Sequence, residues 1–301
     1  MNTEKIKVLI WGTGADYDHY LNNIKYEELK GNIEVKGVIS NDKYFKKIDG
    51  YSRLEKGDIK NIVYDYILVA SINKFAEIVD EAFSLEIERK RLLKITIFQL
   101  SNFDFKRYIE IYSSNISIIS MCCWGGLTYH SLGMEFSSPF INMFVKETDY
   151  LRLLSNLEFY LKQPLVFEKD MYEQKIKRSF PIATIGDIRL YFNHYESFDE
   201  AKSKWEQRLS RINYNNLFIM YYTMDLNNAK IFDNLPFKKK IVFVPFKSEL
   251  QSAIALDELN DILVTNCNNE FYQLVNSLAL SKYKFYDTLK LLCNEPDYKR
   301  L

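Results

Sequence analysis

The chain predicts an α/β protein: a parallel-sheet N-terminal domain plus a larger C-terminal α/β domain. Three observations predict it. Short β-branched, apolar runs alternate with helical segments in both halves, which calls for largely parallel sheets with helices on their faces. A strand–glycine–helix junction, Gly12-Thr13-Gly14, opens the first half. A second junction of the same kind, Cys123-Trp124-Gly125-Gly126, opens the other half. A length of 301 residues accommodates two such domains.

In order, Ile6–Trp11 is of strand length and runs into the glycine turn, and Ala15 onward opens a helix. Ile33–Ile39 reads as a second strand, ending in Ser40-Asn41-Asp42. Tyr64–Ser71 reads as another, followed by a helix from Asn73 to Leu85, and Leu92–Phe98 closes the series. A Rossmann-like unit is the expectation for residues 1–105, because free N–H groups and the helix dipole at such a turn favour a phosphate. Gly12 and Gly14 then contact the cofactor, and Asp42 stands where an acid would bind a ribose hydroxyl. The third glycine of the pattern is replaced by Tyr17. The alternative is that these glycines only make a turn.

Residues 99–114 read as the linker, with helical spacing at Phe105, Tyr108, Ile109 and Tyr112. The second domain, 106–301, restarts with the apolar run Ile116–Met121. Helices are expected near 147–162 and 197–212, and strands near 188–193, 216–223 and 239–245. Further helices are expected at 248–260 and 268–293. Ser197 and Glu200 form a capping box at the start of the 197–212 helix. Phe198, Ala201, Trp205, Leu209 and Ile212 make its apolar stripe, with Lys204, Arg208 and Arg211 along one edge.

Composition narrows the function classes. Lys+Arg and Asp+Glu balance at 40 each, so there is no bulk electrostatic case for nucleic acid or an anionic membrane. No apolar run approaches a membrane span, and the N-terminal run lacks a signal-peptide core, so a cytoplasmic location is expected. Four cysteines without CxxC spacing fit a reducing compartment. With no HExxH and no Cys/His cluster, no metal is expected.

The scarce reactive residues concentrate in two blocks. One runs from Ser120 through Cys123-Trp124-Gly125-Gly126 and His130 to Asn142; the other runs from Gly186-Asp187 through His194-Tyr195 to Arg208. A cysteine just past a strand on a glycine turn is placed to act as a nucleophile, with loop amides to hold an oxyanion. His194 or His130 would then serve as the base, with Asp187 orienting an imidazole. Trp124, Gly125, Gly126 and Asn142 would contact substrate, and Arg208 and Arg211 would hold its anionic part. Against this stand plainer readings: a buried thiol, a turn, a core ring, and surface charge.

Over Ser113 to Tyr222 the chain resembles the DUF1919 family, described as exopolysaccharide biosynthesis proteins. The resemblance rests on Ile118-Ile119-Ser120, Cys123-Trp124-Gly125-Gly126, Ser138-Pro139 with Asn142, Asp187, His194-Tyr195, Trp205, Arg208 and Arg211-Ile212-Asn213. Where the family pattern has asparagines before the Cys-Trp-Gly-Gly, this chain has Met121 and Cys122. The resemblance implies cell-surface carbohydrate assembly but supplies no catalytic residue. The expected function is a transferase in exopolysaccharide or surface-glycan biosynthesis, acyl transfer included. Its partner would be a sugar-containing small molecule or a lipid-linked glycan, and its donor or cofactor a nucleotide, a nucleotide sugar or an acyl-CoA. The alternatives are a non-catalytic binding or scaffolding protein and an NAD(P)-dependent sugar oxidoreductase.

Overall fold

The structure is a computed structural model; it describes residues 4–174, 177–256, 267–280, 285–295 and 297–299. The chain divides into two compact units, Met1–Glu110 and Ile111–Leu301. The division falls within a helix, Phe105–Ser113, where the linker was expected.

The first unit is built on a six-stranded sheet in the order β3-β4-β2-β1-β5-β6. Its strands are β1 (Ile6–Trp11), β2 (Ile33–Ile39), β3 (Lys47–Ile48), β4 (Tyr51–Leu54), β5 (Tyr66–Val69) and β6 (Leu92–Lys94). All pairings are parallel except β3 with β4. Helices α1 (Ala15–Leu29) and α2 (Phe75–Ser84) serve as crossovers, and α3 is Phe105–Ser113. The apolar strand residues lose their water against these helices, as Leu9, Ile67 and Val69 do with Ile78 and Ala82. Past Leu92–Lys94 the expected strand gives way to a 3-10 turn over Ile95–Gln99. Gly12 has φ +111°, and a Cβ there would lie 2.9 Å from the Ala70 carbonyl oxygen. Only glycine fits where β1 and β5 end side by side.

The second unit holds two four-stranded sheets. The parallel one has the order β14-β13-β12-β7, from β7 (Ser117–Ser120), β12 (Leu217–Tyr222), β13 (Lys240–Val244) and β14 (Ala253–Ala255). The other is antiparallel, β8-β11-β10-β9, from β8 (Phe144–Val145), β9 (Leu165–Glu173), β10 (Arg178–Ile185) and β11 (Ile188–Tyr191). Its helices are α4 (Trp124–Ser131), α5 (Glu147–Ser155), α6 (Leu157–Leu161), α7 (Phe198–Leu209), α8 (Leu226–Asp233), α9 (Cys267–Leu278) and α10 (Thr288–Leu292). The Tyr150 hydroxyl of α5 bonds to the carbonyls of Ile119 and Met220 at 3.0 and 2.9 Å, tying the ends of β7 and β12 together.

The second unit departs from the sequence reading in several places, and the helical segment expected near 147–162 is two helices, α5 and α6. The helix expected over 248–260 contains the short strand β14, and the rest of that stretch lies outside the described residues. The single helix expected over 268–293 is two, α9 and α10, with residues 281–284 between them outside the described set. The β9–β10 hairpin was not anticipated. Its outer strand is largely exposed, with Val166, Phe167 and Tyr172 open to solvent, so its pattern carries little core signal.

Candidate active site

β7 delivers the chain to the carboxyl edge of the parallel sheet, where open α/β folds place their chemistry. The turn that follows is fastened by its own polar groups. Ser120 Oγ donates to the Cys122 carbonyl at 2.6 Å and accepts from the Gly125 amide at 3.1 Å. The Val145 amide, at the start of the antiparallel sheet, donates to the Met121 carbonyl at 3.0 Å. Cys123 therefore sits at the N-cap of α4, in the positive field of a helix N-terminus. Met121 and Cys122 are buried, so the places held by asparagine in the family pattern belong here to the core.

The glycine pair lets α4 lie close on its neighbours. A Cβ on Gly125 would stand 2.6 Å from Ser120 Oγ, and one on Gly126 3.3 Å from Ile141. Gly125→Ala is expected to expel Ser120 from both of its bonds and to lower stability by about 1–3 kcal/mol. The denaturation midpoint measures this, and an unchanged midpoint would show that the turn tolerates the methyl group.

His194 arrives from the other sheet. It lies on the segment after β11, pinned by buried neighbours on either side, Phe192 and Tyr195. Phe192 packs edge-on to Trp205 at 6.1 Å. The Tyr195 hydroxyl donates to the Ile141 carbonyl at 2.8 Å and accepts from Arg208 at 2.5 Å. The result is a Cys123 Sγ to His194 Nε2 distance of 3.5 Å. Tyr272 of α9 brings its hydroxyl to 3.7 Å from the same sulfur. Tyr222, at the end of β12, packs against Tyr272 with ring centroids 6.0 Å apart.

The electrostatics favour a neutral pair at rest. Burial pushes the Cys123 thiol up, partly offset by its hydrogen bond with Tyr272. His194 retains solvent exposure, yet desolvation lowers its basicity and the positive charge of Arg178 lowers it further. Near neutral pH the site therefore holds a protonated thiol beside an imidazole able to accept its proton. Cys122, fully buried next door, is pushed up by desolvation and is inert by comparison.

The other expected site residues fall elsewhere. Asp187 does not orient His194: it stands in the β10–β11 turn and pairs with Arg152 at 2.6 Å. His130 is exposed in the last turn of α4, seven positions beyond Cys123, about 10 Å along the axis. Trp124 is no stacking platform for substrate: it is wholly buried, stacks on Phe218 at 5.9 Å and donates its indole N–H to Tyr286 at 3.0 Å. Asn142 is exposed beside the first turn of α4, its Oδ1 3.7 Å from where a Gly126 Cβ would lie.

Arg208 and Arg211 are committed to the protein itself. Arg208 is 8% exposed, bonds Tyr195 and lies over the Phe136 ring at 5.1 Å. Arg211 bonds the Phe136 carbonyl at 3.0 Å and the Glu135 carboxylate at 2.7 Å. Neither guanidinium is presented for a substrate anion. Arg208 acts on the site at one remove, by holding the segment that carries His194.

In the first unit, Gly12 and Asp42 line a cavity of about 420 Å³ with Thr13, Ser40, Lys56 and Glu81. Gly14 caps α1 in extended geometry. Asp42 accepts the Tyr44 amide at 2.9 Å, closing a local turn. The first turn of α1 carries Asp16 and Asp18, which put negative charge where a phosphate would seek the helix dipole. Tyr17, at the third position of the glycine pattern, is buried and donates to Asp49 at 3.0 Å. Among the described residues, no group of three His, Cys, Asp or Glu side chains is placed to hold a metal ion.

Fold and geometry together define an α/β protein with a thiol–imidazole pair at the carboxyl edge of a parallel sheet. The chain belongs to the DUF1919 family, a domain of unknown function, whose profile matches residues 94–292. Residues 4–93 match the profile described as C2185-like, N-terminal. A Haemophilus influenzae protein described as uncharacterized is 37% identical over 137 residues, which is 44% of this chain and 64% of that protein. The chain thus spans less than two thirds of that relative's length.

Proposed function

We propose that the protein is a thiol-dependent transferase that moves an acyl group onto a sugar hydroxyl in exopolysaccharide or cell-surface glycan assembly. The observation that carries this reading is the 3.5 Å approach of Cys123 Sγ to His194 Nε2 at a helix N-terminus. His194 accepts the thiol proton as sulfur attacks the acyl carbonyl carbon. The carbonyl electron pair moves to oxygen, where the Gly126 amide, in the first turn of α4, is the candidate donor, since the Gly125 amide is held by Ser120. Collapse expels the donor's leaving group, which takes the proton back from His194. A sugar hydroxyl then repeats the cycle on the thioester, giving up its proton to His194.

The carbohydrate side of the reading comes with the family resemblance, as does the expectation of a nucleotide-linked or lipid-linked acceptor. A Rossmann-like, nucleotide-binding role for the first unit by itself, with Gly12, Gly14 and Asp42, is a separate part of the proposal. So is a cytoplasmic setting; among the described residues no helix is long and apolar enough to cross a membrane.

A non-catalytic binding role is the second reading. It is favoured by the raised thiol and by the lack, among the described residues, of a carboxylate bonded to His194. A thermal-shift panel separates the possibilities, because a ligand that binds only the folded state raises the melting temperature. The purified chain is tested against acetyl-CoA, nucleotide sugars, NAD(H) and NADP(H). A shift with acetyl-CoA, followed by acetyl transfer to a carbohydrate, is the expected result. Saturable binding without turnover would favour the second reading, and a response to nicotinamide dinucleotides alone would overturn the transferase.

A further inference from the structure

We propose that Tyr272 is a third catalytic group of the Cys123 site, its hydroxyl donating to the sulfur as the thiol gives its proton to His194. This rests on the thiol-transferase reading and adds a residue that neither block of reactive residues contained.

The geometry assigns the direction of each bond. Among the described residues, Sγ has two polar neighbours, His194 Nε2 at 3.5 Å and Tyr272 Oη at 3.7 Å. A thiol carries one proton. If that proton goes to the imidazole, the contact with Tyr272 must be donated by the phenol. Asn276, one turn further along α9, hydrogen-bonds Tyr272, and its own Oδ1 is buried without a partner among the described residues. With the amide in this orientation Nδ2 donates to the phenol oxygen, and the phenol proton is left for the sulfur. Burial and the neighbouring thiols raise the phenol well above its ordinary value, so it keeps that proton throughout the working pH range. A neutral donor fixed beside the sulfur stabilises the anion that forms when the proton leaves, and it does so without a carboxylate behind His194. No proton leaves Tyr272 in either half-reaction. Its bond strengthens while sulfur is anionic and weakens as the S–C bond forms.

The test needs no substrate. Alkylation of Cys123 by iodoacetamide is followed by peptide-resolved mass spectrometry across pH, in wild type and in Tyr272→Phe. The loss of one hydroxyl is expected to raise the midpoint by about one pH unit and to slow alkylation at neutral pH about tenfold. Site-specific 3-fluorotyrosine at position 272, a stronger donor of nearly the same shape, is expected to move the midpoint down. Opposite shifts in the two variants cannot come from general loosening of the site. Unmoved midpoints in both would overturn the proposal and would place the phenol proton on Asn276. If the midpoints move but no acyl adduct ever forms, the thiol–phenol bond stands and the transferase reading fails. An adduct with unmoved midpoints would remove Tyr272 alone.

Discussion

Replacing His194 with alanine is expected to slow acylation of Cys123 by about 10²–10⁴-fold, the usual contribution of a positioned general base. The side chain is exposed and, among the described residues, makes one hydrogen bond, to Cys123, so the fold should survive its loss. The pH profile of the wild type should report the same group. His194 must be neutral to accept the thiol proton, and its environment lowers its basicity from the ordinary 6.5. Activity should therefore persist as pH falls through 6.5 and decline only at lower pH, where the imidazole becomes protonated. The acid limb should vanish in His194→Ala. A fully active, normally folded His194→Ala protein would sink the mechanism, and so would an acid limb that is the same in both proteins.

The largest structural effect is expected at Trp124. It is 0% exposed, stacked on Phe218 and tilted against Phe243 at 6.2 Å. Trp124→Ala removes these contacts and leaves the buried Tyr286 hydroxyl without its donor. A loss of about 3–5 kcal/mol follows from cavities of this size. That is a large part of the stability of an ordinary domain, about 5–15 kcal/mol. Trp124→Phe should recover part of the loss but not the bond to Tyr286. Urea denaturation of the two variants measures both effects. A Trp124→Ala midpoint within error of wild type would mean that the ring is not the keystone of α4. Because Trp124 follows Cys123 directly, the same substitution should also disorder the thiol.

These two residues show how far the sequence is informative. The strand–turn–helix junction at Cys123 is legible because the Ile118-Ile119 pair of β7 reads as strand and the glycines mark the turn. His194 is legible as a reactive group, but its partner is not, since 71 residues and a change of sheet separate it from Cys123. Asp187 looked catalytic because acids near histidines often are. Its neighbour Gly186, with φ +59°, shows it to be half of a two-residue hairpin turn between Ile185 and Ile188. The Gly-Asp pair between two β-branched runs was the signal for that turn. Arg208 and Arg211 read as an anion clamp from helix spacing alone. Spacing cannot show that Tyr195, Phe136 and Glu135 already occupy them. Tyr272 carried no local signal. It is one tyrosine among 22, on a helix that reads as ordinary amphipathic packing, and its role appears only when α9 is set beside α4.

The fold follows a similar rule. The parallel strands were found because burial on both faces makes them apolar throughout, as in Ile118-Ile119 and Ile241–Val244. The antiparallel insertion was missed where one face is open and charged residues interleave, as along Leu165–Glu173. His194 follows β11, the strand of this sheet that was expected near 188–193; the β9–β10 hairpin beside it was not.

The most direct test is intact-protein and peptide mass spectrometry of the purified chain after incubation with acetyl-CoA at neutral pH. The account predicts a hydroxylamine-labile acetyl adduct on Cys123, not on Cys122 or Cys293, that disappears when a carbohydrate acceptor is added. No adduct at Cys123, or an adduct that forms equally fast without His194, would contradict it.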